Sequence, residues 1–405
     1  SARASGATEE LAVGAAPAPP PYGPAFFERP VGDREAAYAV KHGLRCAIFG
    51  PGAAECIPLW VADMDLPCAP EICAALQRRM AHPTFGYTYQ PREMWEAIQR
   101  WLWEEHGWQV ALEALVFAPG VVTAAAAALW AYTSVGDAVL VMTPLYEPLQ
   151  RAVVGARRTL RRHELQLRGG RYALDAQRLR ADLEGCAALI LCNPHNPGGV
   201  VWSLEELRLV ADICREQGVL VLSDEIWSDW CLGGARHCPA ALACAHGQPL
   251  VTLMAPTKTW NLAGLHMAFL VIPDPALRAR YLAEVDYAFL HYGSTFATEA
   301  ALAAYTLGRP WLQGAREAVR RTHGGVLRGR DRGALRRRRR PGQAPGNVLP
   351  LARLHAPGPR RPGALLPRGG GPGAEPRGGL RRRRDGRLRA AQRGDFAGDP
   401  PCCRG

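Results

Sequence analysis

The middle of the chain alternates short apolar strands with helices, and this pattern constrains the fold more than any other feature. The strand segments are almost wholly apolar, as expected for strands that are buried on both faces. Such alternation predicts an α/β fold with a mostly parallel sheet flanked by helices. The predicted strands are 115–118, 138–142, 187–192, 219–223, 250–254 and 268–272. The predicted helices are 69–81, 92–106, 121–134, 147–154 and 204–217.

Three polar residues follow three of these strands. Asn196, Asp224 and Lys258 come after strands whose carboxyl ends form the edge of the sheet where α/β proteins bind ligands. Burial of Lys258 among apolar and hydroxyl-bearing neighbours would favour the free amine, which forms a Schiff base with an aldehyde. Asp224 is suited to keep a pyridine nitrogen protonated, and the Asn196 amide to hydrogen-bond a ring oxygen. The trio predicts a site for pyridoxal 5'-phosphate.

The segments around this trio read NPHNPGG (193–199), SDEIW (223–227) and TKTWNLAGL (257–265). With them the chain resembles fold-type I pyridoxal-phosphate enzymes of the class I and II aminotransferase superfamily. The segments PLWVADMD (58–65) and FGY (85–87) are similar to the branch of carbon-sulfur β-lyases that includes bacterial cystathionine β-lyases. The resemblance runs from about residue 26 to about residue 318. It implies a seven-stranded sheet in a large domain, beside a small domain that is incomplete at the C-terminus.

A strand-to-helix turn at Gly120, Val121 and Val122 offers the phosphate-binding end of this site. Backbone amides at the start of a helix have no partner within the helix, so they are free to hold an anion. The resemblance assigns this turn, together with the hydroxyl of Thr257, to the cofactor phosphate.

Further roles come from the resemblance alone. It implies that Tyr146 stacks on the pyridine ring and that Trp60 binds substrate together with Asn196. Trp227 stands where relatives usually carry a His or Tyr that bonds the cofactor hydroxyl, and an indole nitrogen is able only to donate. Tyr87 resembles the tyrosine that reaches the cofactor phosphate of the neighbouring subunit, which implies a homodimer.

The activity implied by the resemblance is a β-elimination. Lys258 removes the α-proton of an amino-acid substrate with a sulfur leaving group, and pyruvate, ammonia and a thiol are released. The same residues also serve transamination, so an aminotransferase is the first alternative. A protein that binds the cofactor without turnover, as a regulatory or otherwise inactive relative, is the second.

The two ends of the chain differ from the middle. Residues 1–24 are rich in Ala, Pro and Gly and are predicted to be disordered, 25–68 to begin the small domain, and 69–310 to form the cofactor-binding domain. Residues 311–405 are predicted to start a C-terminal domain, with helical signal fading past Gly314, and then to pass into a disordered tail.

The tail is unusual in composition. Residues 321–405 contain 22 arginines, five acidic residues and no lysine, so they alone account for the net charge of +12. The superfamily's carboxylate-binding arginine belongs to this part, and nothing here matches its motif. A shifted reading frame near Arg320 is our hypothesis for this composition. A genuine tail of this charge would instead bind nucleic acid through phosphates.

Composition also bears on location and metals. No apolar run approaches a membrane span, no segment reads as an export signal, and the twelve cysteines show no zinc-like spacing. We therefore expect a cytoplasmic protein with reduced thiols, no membrane partner and no metal. The chain begins with Ser1 rather than Met, which suggests a missing upstream part.

Overall fold

The structure is a computed structural model that describes residues 22–245 and 247–331, without the side chains of 326–331. All of these residues belong to one compact unit. Most of the predicted disordered segment 1–24 and of the arginine-rich tail lies outside the described residues. The domain boundaries given above therefore stay predictions.

The strands and helices found in the described residues follow the predicted pattern closely. The strands are β1 (Leu115–Ala118), β2 (Ala138–Thr143), β3 (Thr159–Glu164), β4 (Gln166–Arg168), β5 (Arg171–Ala173), β6 (Cys186–Cys192), β7 (Leu220–Asp224), β8 (Leu250–Met254) and β9 (Ala268–Val271). The helices are α1 (Pro24–Phe27), α2 (Val40–Gly43), α3 (Arg45–Phe49), α4 (Pro70–Met80), α5 (Arg92–His106), α6 (Val121–Tyr132), α7 (Glu147–Gly155), α8 (Ala176–Leu183), α9 (Leu204–Glu216), α10 (Pro256–Thr259), α11 (Pro275–Tyr287), α12 (Thr295–Leu307) and α13 (Arg309–Asp331).

Seven of the strands form one sheet in the order β1-β9-β8-β7-β6-β2-β3, which confirms the predicted α/β class. The run from β8 to β3 is parallel, and β9 is antiparallel to both of its neighbours. Strand β3 was missed because it lies at the edge and reads TLRRHE, with no apolar run. Charged side chains on an edge strand hinder pairing with another chain.

The sheet is buried on both faces because consecutive strand residues point to opposite sides. In β6, Ala188 and Ile190 face one hydrophobic core, and Leu189 and Leu191 face another. Helices α6, α7 and α11 contribute to the first core, and α8 and α9 to the second. A third core, rich in tryptophan, lies among α4, α5, α12 and α13. No helix within the described residues is both long and apolar enough to span a membrane.

Helix α13 corrects one prediction. It continues from Arg309 to Asp331, so the expectation that helical structure fades past Gly314 is wrong. A Cβ at Gly314 would lie 2.6 Å from the carbonyl oxygen of Tyr22 and 2.7 Å from the ring of Phe27. The glycine therefore serves close packing of α13 against the N-terminal residues.

Gly308, at the end of α12, is expected to tolerate no side chain. A Cβ there would overlap the indole nitrogen of Trp260 and lie 2.5 Å from the carbonyl oxygen of Ala304. We expect Gly308→Ala to lower the free energy of unfolding by about 1–3 kcal/mol in a urea titration, because overpacking forces neighbours to move. Gly43→Ala, where a Cβ meets nothing within 4 Å, is the control. Equal losses in the two variants would contradict this packing account.

Candidate active site

The carboxyl ends of β6, β7 and β8 bring the three predicted motifs together. In the parallel ladder Cys192 lies opposite Asp224, and Asp224 opposite Leu253. The amide of Asn193 donates to the carbonyl oxygen of Asp224 at 2.9 Å, and the amide of Glu225 donates to that of Leu253 at 2.9 Å. The motifs that follow these three strands are therefore neighbours at one edge of the sheet.

Asp224 is buried at this edge with little to stabilise its charge. Its side chain accepts one hydrogen bond from the amide of Ile226 at 3.1 Å. Burial raises the pKa of Asp224 to about 7, and the nearby charge of Glu225 adds to this, while the Ile226 amide and Lys258 oppose it. A positively charged or hydrogen-donating ring nitrogen would supply the partner that the carboxylate lacks, so this position fits a pyridine cofactor.

Lys258 lies in the short helix α10, directly after β8. Burial lowers the pKa of the Lys258 amine, and the charges of Asp63 and Asp224 oppose that shift. The amine lies 5.7 Å from the ring centroid of Trp227, which is itself buried. The indole nitrogen of Trp230 donates to the carbonyl oxygen of Lys258 at 2.8 Å. A fixed backbone and an amine with a lowered pKa suit Lys258 to react with an aldehyde.

The predicted phosphate turn stands at the start of α6. Gly120 is the N-cap residue, in extended backbone, and no side chain caps the helix. The first-turn amides of Val121 and Val122 are therefore available to an anion. Val121 shares a hydrophobic core with Ala255, which leads into α10 and its buried Thr257. This arrangement fits a phosphate group at the same edge of the sheet.

Asn196 and Tyr146 join the site through their backbones. The amide of Tyr146 donates to the carbonyl oxygen of Asn196 at 3.0 Å, and the amide of Asn196 donates to the sulfur of Cys192 at 3.3 Å. Burial raises the pKa of the Tyr146 phenol, and the charge of Asp224 raises it further. Tyr146 is 43% exposed, so its ring borders open space beside Asp224.

Two other predicted residues have their contacts elsewhere. The indole nitrogen of Trp60 donates to the carbonyl oxygen of Lys41 at 2.9 Å, and its ring packs against Phe49. Tyr87 is 85% exposed and lies beside the ring of Tyr292. The substrate role of Trp60 and the intersubunit role of Tyr87 stay predictions.

A buried carboxylate that the sequence analysis missed supports the lysine segment. Asp229 accepts hydrogen bonds from Thr259 at 2.7 Å, from Trp101 at 3.1 Å and, at 2.9 Å, from the ring nitrogen of His106. Its carbonyl oxygen accepts from Arg316 of α13 at 2.7 Å. Asp229 thus ties the residue after Lys258 to α5 and α13. The available signal was a single acid between Ser228 and Trp230, in a segment rich in tryptophan.

Asp229 is expected to make the fold sensitive to acid. Burial alone would raise its pKa, but the hydrogen bonds and charges around it, chiefly those of His106, outweigh burial and hold the pKa at about 2. Because this value lies below that of an unfolded aspartate, the carboxylate stabilises the fold above about pH 4, and that contribution is lost as the pH falls toward 2. The loss amounts to about 2 kcal/mol.

Urea unfolding of wild type and Asp229→Asn at several pH values between 6 and 3 measures this contribution. The stability of the wild type should fall more steeply than that of the variant below about pH 4. Asp212→Asn, at an exposed carboxylate of α9, is the matched control and should keep the wild-type slope. Parallel pH profiles for wild type and Asp229→Asn would rule out this role for Asp229.

Sequence comparison places the chain among described protein families. The family model of class I and II aminotransferases matches residues 54–324. Cystathionine beta-lyase PatB of Bacillus subtilis is 40% identical over 264 residues, which cover 64% of this chain and 68% of the relative.

Solved structures are similar over a comparable range. Cystalysin from Treponema denticola, which contains pyridoxal 5'-phosphate, has a TM-score of 0.69 and 28% identity, covering 72% of this chain and 75% of cystalysin. A pyridoxal-phosphate-bound C-S lyase from Staphylococcus hominis has a TM-score of 0.71 and 28% identity, covering 76% and 78% of the two chains.

Proposed function

Because the chain belongs to the class I and II aminotransferase family, whose solved relatives bind pyridoxal 5'-phosphate, we propose that it is a carbon-sulfur β-lyase that uses this cofactor. Its substrate is an amino acid with a sulfur leaving group, such as cystathionine, and its products are pyruvate, ammonia and a thiol. The observation that carries the proposal is the position of Asp224 at the end of β7 and of Lys258 directly after the adjacent strand β8. Similarity to a relative named cystathionine β-lyase favours elimination over transamination.

In this proposal, each group of the cofactor would have a partner in the chain. Asp224 would hold the ring nitrogen, Asn196 the ring oxygen, and the amides of Val121 and Val122 the phosphate, with the Thr257 hydroxyl beside them. When bound, pyridoxal phosphate supplies an aldehyde carbon for amines and a ring that accepts electrons from the bond to the α-hydrogen. These assignments rest on the donor and acceptor types and on the opposed pKa shifts of Asp224 and Lys258.

Different residues of the chain have different roles in the elimination. Lys258 Nζ, whose pKa is lowered by burial, accepts the proton from the substrate α-carbon. Asp224 would keep a proton on the ring nitrogen, because a buried negative carboxylate favours a positive charge beside it. The buried Trp227 ring lies 5.7 Å from Lys258 Nζ and covers one side of the amine.

Keto-acid release tests the proposal. The purified chain, supplied with pyridoxal phosphate and cystathionine but with no added keto acid, is expected to produce pyruvate over many turnovers. An aminotransferase needs a keto-acid acceptor to turn over. Without one, it would release no more than one equivalent of keto acid per active site. L-Alanine, which carries no leaving group, is the matched control substrate. Turnover only when a keto acid is added would favour the aminotransferase reading.

A homodimer belongs to the same proposal. The side chains of Phe85, Tyr87, Tyr89, Phe289 and Tyr292 are exposed on neighbouring segments. Exposed aromatic surface of this kind is typical of protein interfaces. We expect sedimentation equilibrium to give twice the chain mass of 44.0 kDa. A concentration-independent monomer would remove the dimer from the proposal.

A cytoplasmic location is proposed as well. The ten cysteines among the described residues are all free thiols, as in most proteins of a reducing compartment. Fractionation of cells that express the chain tests this location.

A further inference from the structure

A second carboxylate, besides Asp224, acts electrostatically on Lys258. The charge of Asp63, like that of Asp224, opposes the lowering of the Lys258 pKa by burial. Asp63 belongs to the segment 60–66, which precedes the large sheet in the sequence and is far from Lys258 along the chain. A separate element of the fold therefore brings this acid to the lysine.

Asn261 fixes the segment 60–66 against the lysine loop. Its side-chain oxygen accepts from the amide of Met64 at 2.8 Å, and its side-chain nitrogen donates to the carbonyl oxygens of Met64 at 3.0 Å and Leu66 at 3.4 Å. Asn261 stands three residues after Lys258 and has a positive φ of 61°. The positions of Asp63 and Lys258 are thus coupled through a short, rigid connection.

Two cations hold the same segment from the other side. The Arg34 guanidinium pairs with Oδ2 of Asp63 and donates to Oδ1 of Asp65 at 2.9 Å. Lys41 Nζ donates to the carbonyl oxygen of Asp63 at 2.9 Å and to Oδ2 of Asp65 at 2.7 Å. Arg34 and Lys41 thus form one clamp that holds both Asp63 and Asp65.

One oxygen of Asp63 remains without a partner. Oδ1 is buried and accepts no hydrogen bond from any residue that the structure describes, although Oδ2 is paired with Arg34. A buried charged oxygen without a hydrogen bond is costly, so such atoms are usually partnered or functional. The amine of Lys258, on which the charge of Asp63 acts, is a donor of the right chemistry.

We propose that Asp63 is a positioning residue for Lys258, whose protonated amine it holds through its free carboxylate oxygen. This inference deepens the proposed function and rests on it for the reaction that Lys258 performs. The proton leaves the substrate α-carbon and is carried on Lys258 Nζ, while Asp63 Oδ1 accepts a hydrogen bond and takes no proton. Asp224 is then free to bind the ring nitrogen of the cofactor. Asp63 keeps Lys258 in place during proton transfer.

The chain offers a clean test because it contains only two lysines, Lys41 and Lys258. Protein made with lysine labelled with ¹³C at the ε-carbon should give two side-chain signals, which the Lys258→Ala variant assigns. Their pH titration is followed without cofactor or substrate in wild type, Asp63→Asn and Asp65→Asn. Asp65→Asn is the matched control, since Asp65 shares the clamp but is not among the charges acting on Lys258.

Asp63→Asn is expected to lower the titration midpoint of Lys258 by about one pH unit, because a close opposite charge is lost. Asp65→Asn should change the Lys41 signal and leave the Lys258 midpoint in place. An unchanged Lys258 midpoint in a folded Asp63→Asn variant would overturn the inference, and so would equal shifts in the two variants.

If circular dichroism shows that Asp63→Asn does not fold, Arg34→Gln decides. Without Arg34, the Asp63 carboxylate has only Lys258 as a cationic partner, so the titration midpoint of Lys258 should rise. An unchanged or lower midpoint would reject the role of Asp63. Because these titrations need neither cofactor nor substrate, they are independent of the outcome of the keto-acid assay. Failure of the role of Asp63 is therefore distinguishable from failure of the lyase proposal.

Discussion

The Lys258→Ala variant is expected to lose turnover of cystathionine by at least about 10⁴-fold, which corresponds to about 5.5 kcal/mol of activation free energy. The variant removes both the amine that reacts with the cofactor aldehyde and the base that accepts the α-proton. Burial lowers the pKa of this amine, which favours its reaction with an aldehyde. Steady-state assays of pyruvate release measure the loss.

The visible absorption of bound pyridoxal phosphate gives a second readout of the same variant. Wild type should develop a visible band that Lys258→Ala lacks. Lys41→Arg is the matched control, since it removes the other lysine but keeps the charge beside Asp65. Lys41→Arg should retain the band, and near-normal turnover by Lys258→Ala would exclude Lys258 as the catalytic base.

Replacing Asp224 by asparagine is expected to change activity and stability in opposite directions. Turnover should fall by about 10²–10³-fold, because a neutral amide does not hold a proton on the ring nitrogen. The cofactor-free protein should become more stable at pH 8, because burial holds the Asp224 pKa at about 7 and ionising that carboxyl in the fold is costly. Functional residues often reduce stability in this way.

The sign of the stability change follows from linkage. The folded pKa of Asp224 lies above the value of an unfolded aspartate, so wild type loses stability as the pH rises from about 4 to about 7. Asp224→Asn does not titrate and should avoid that loss, which gives it an advantage of about 2–4 kcal/mol at pH 8 and almost none at pH 4. Urea unfolding at the two pH values measures this, and a variant less stable than wild type at both would contradict the account.

Local sequence signals were sufficient for the central strands of the sheet and for the motifs that follow them, while the cofactor roles of the trio stay predictions. The central strands are continuous apolar runs, so their positions follow from hydrophobicity, and the segments that contain Asn196, Asp224 and Lys258 stand at the carboxyl ends of three adjacent strands. Strand β3 was missed because an edge strand has one solvated side and needs no apolar run. The continuation of α13 past Gly314 was missed because the close packing that this glycine serves has no signature in the local sequence.

Contacts between distant segments were beyond prediction from the sequence. Asn261 holds the segment of Asp63 against the lysine loop by binding the backbone of Met64, and Asp229 binds Thr259 within the tryptophan-rich core. Neither arrangement can be predicted from hydrophobic periodicity or from the spacing of residues in the sequence. In the sequence, Asp63 and Asp229 are acids without an assigned role in apolar motifs. Their partners can be identified only from the fold.

Borohydride reduction of the chain with bound pyridoxal phosphate, followed by peptide mapping by mass spectrometry, tests the central claim most directly. Reduction makes the bond between the cofactor and its amine permanent, and the two lysines leave little ambiguity. The account predicts that the cofactor is found on the peptide that contains Lys258. Cofactor on the Lys41 peptide, or on neither, would contradict it.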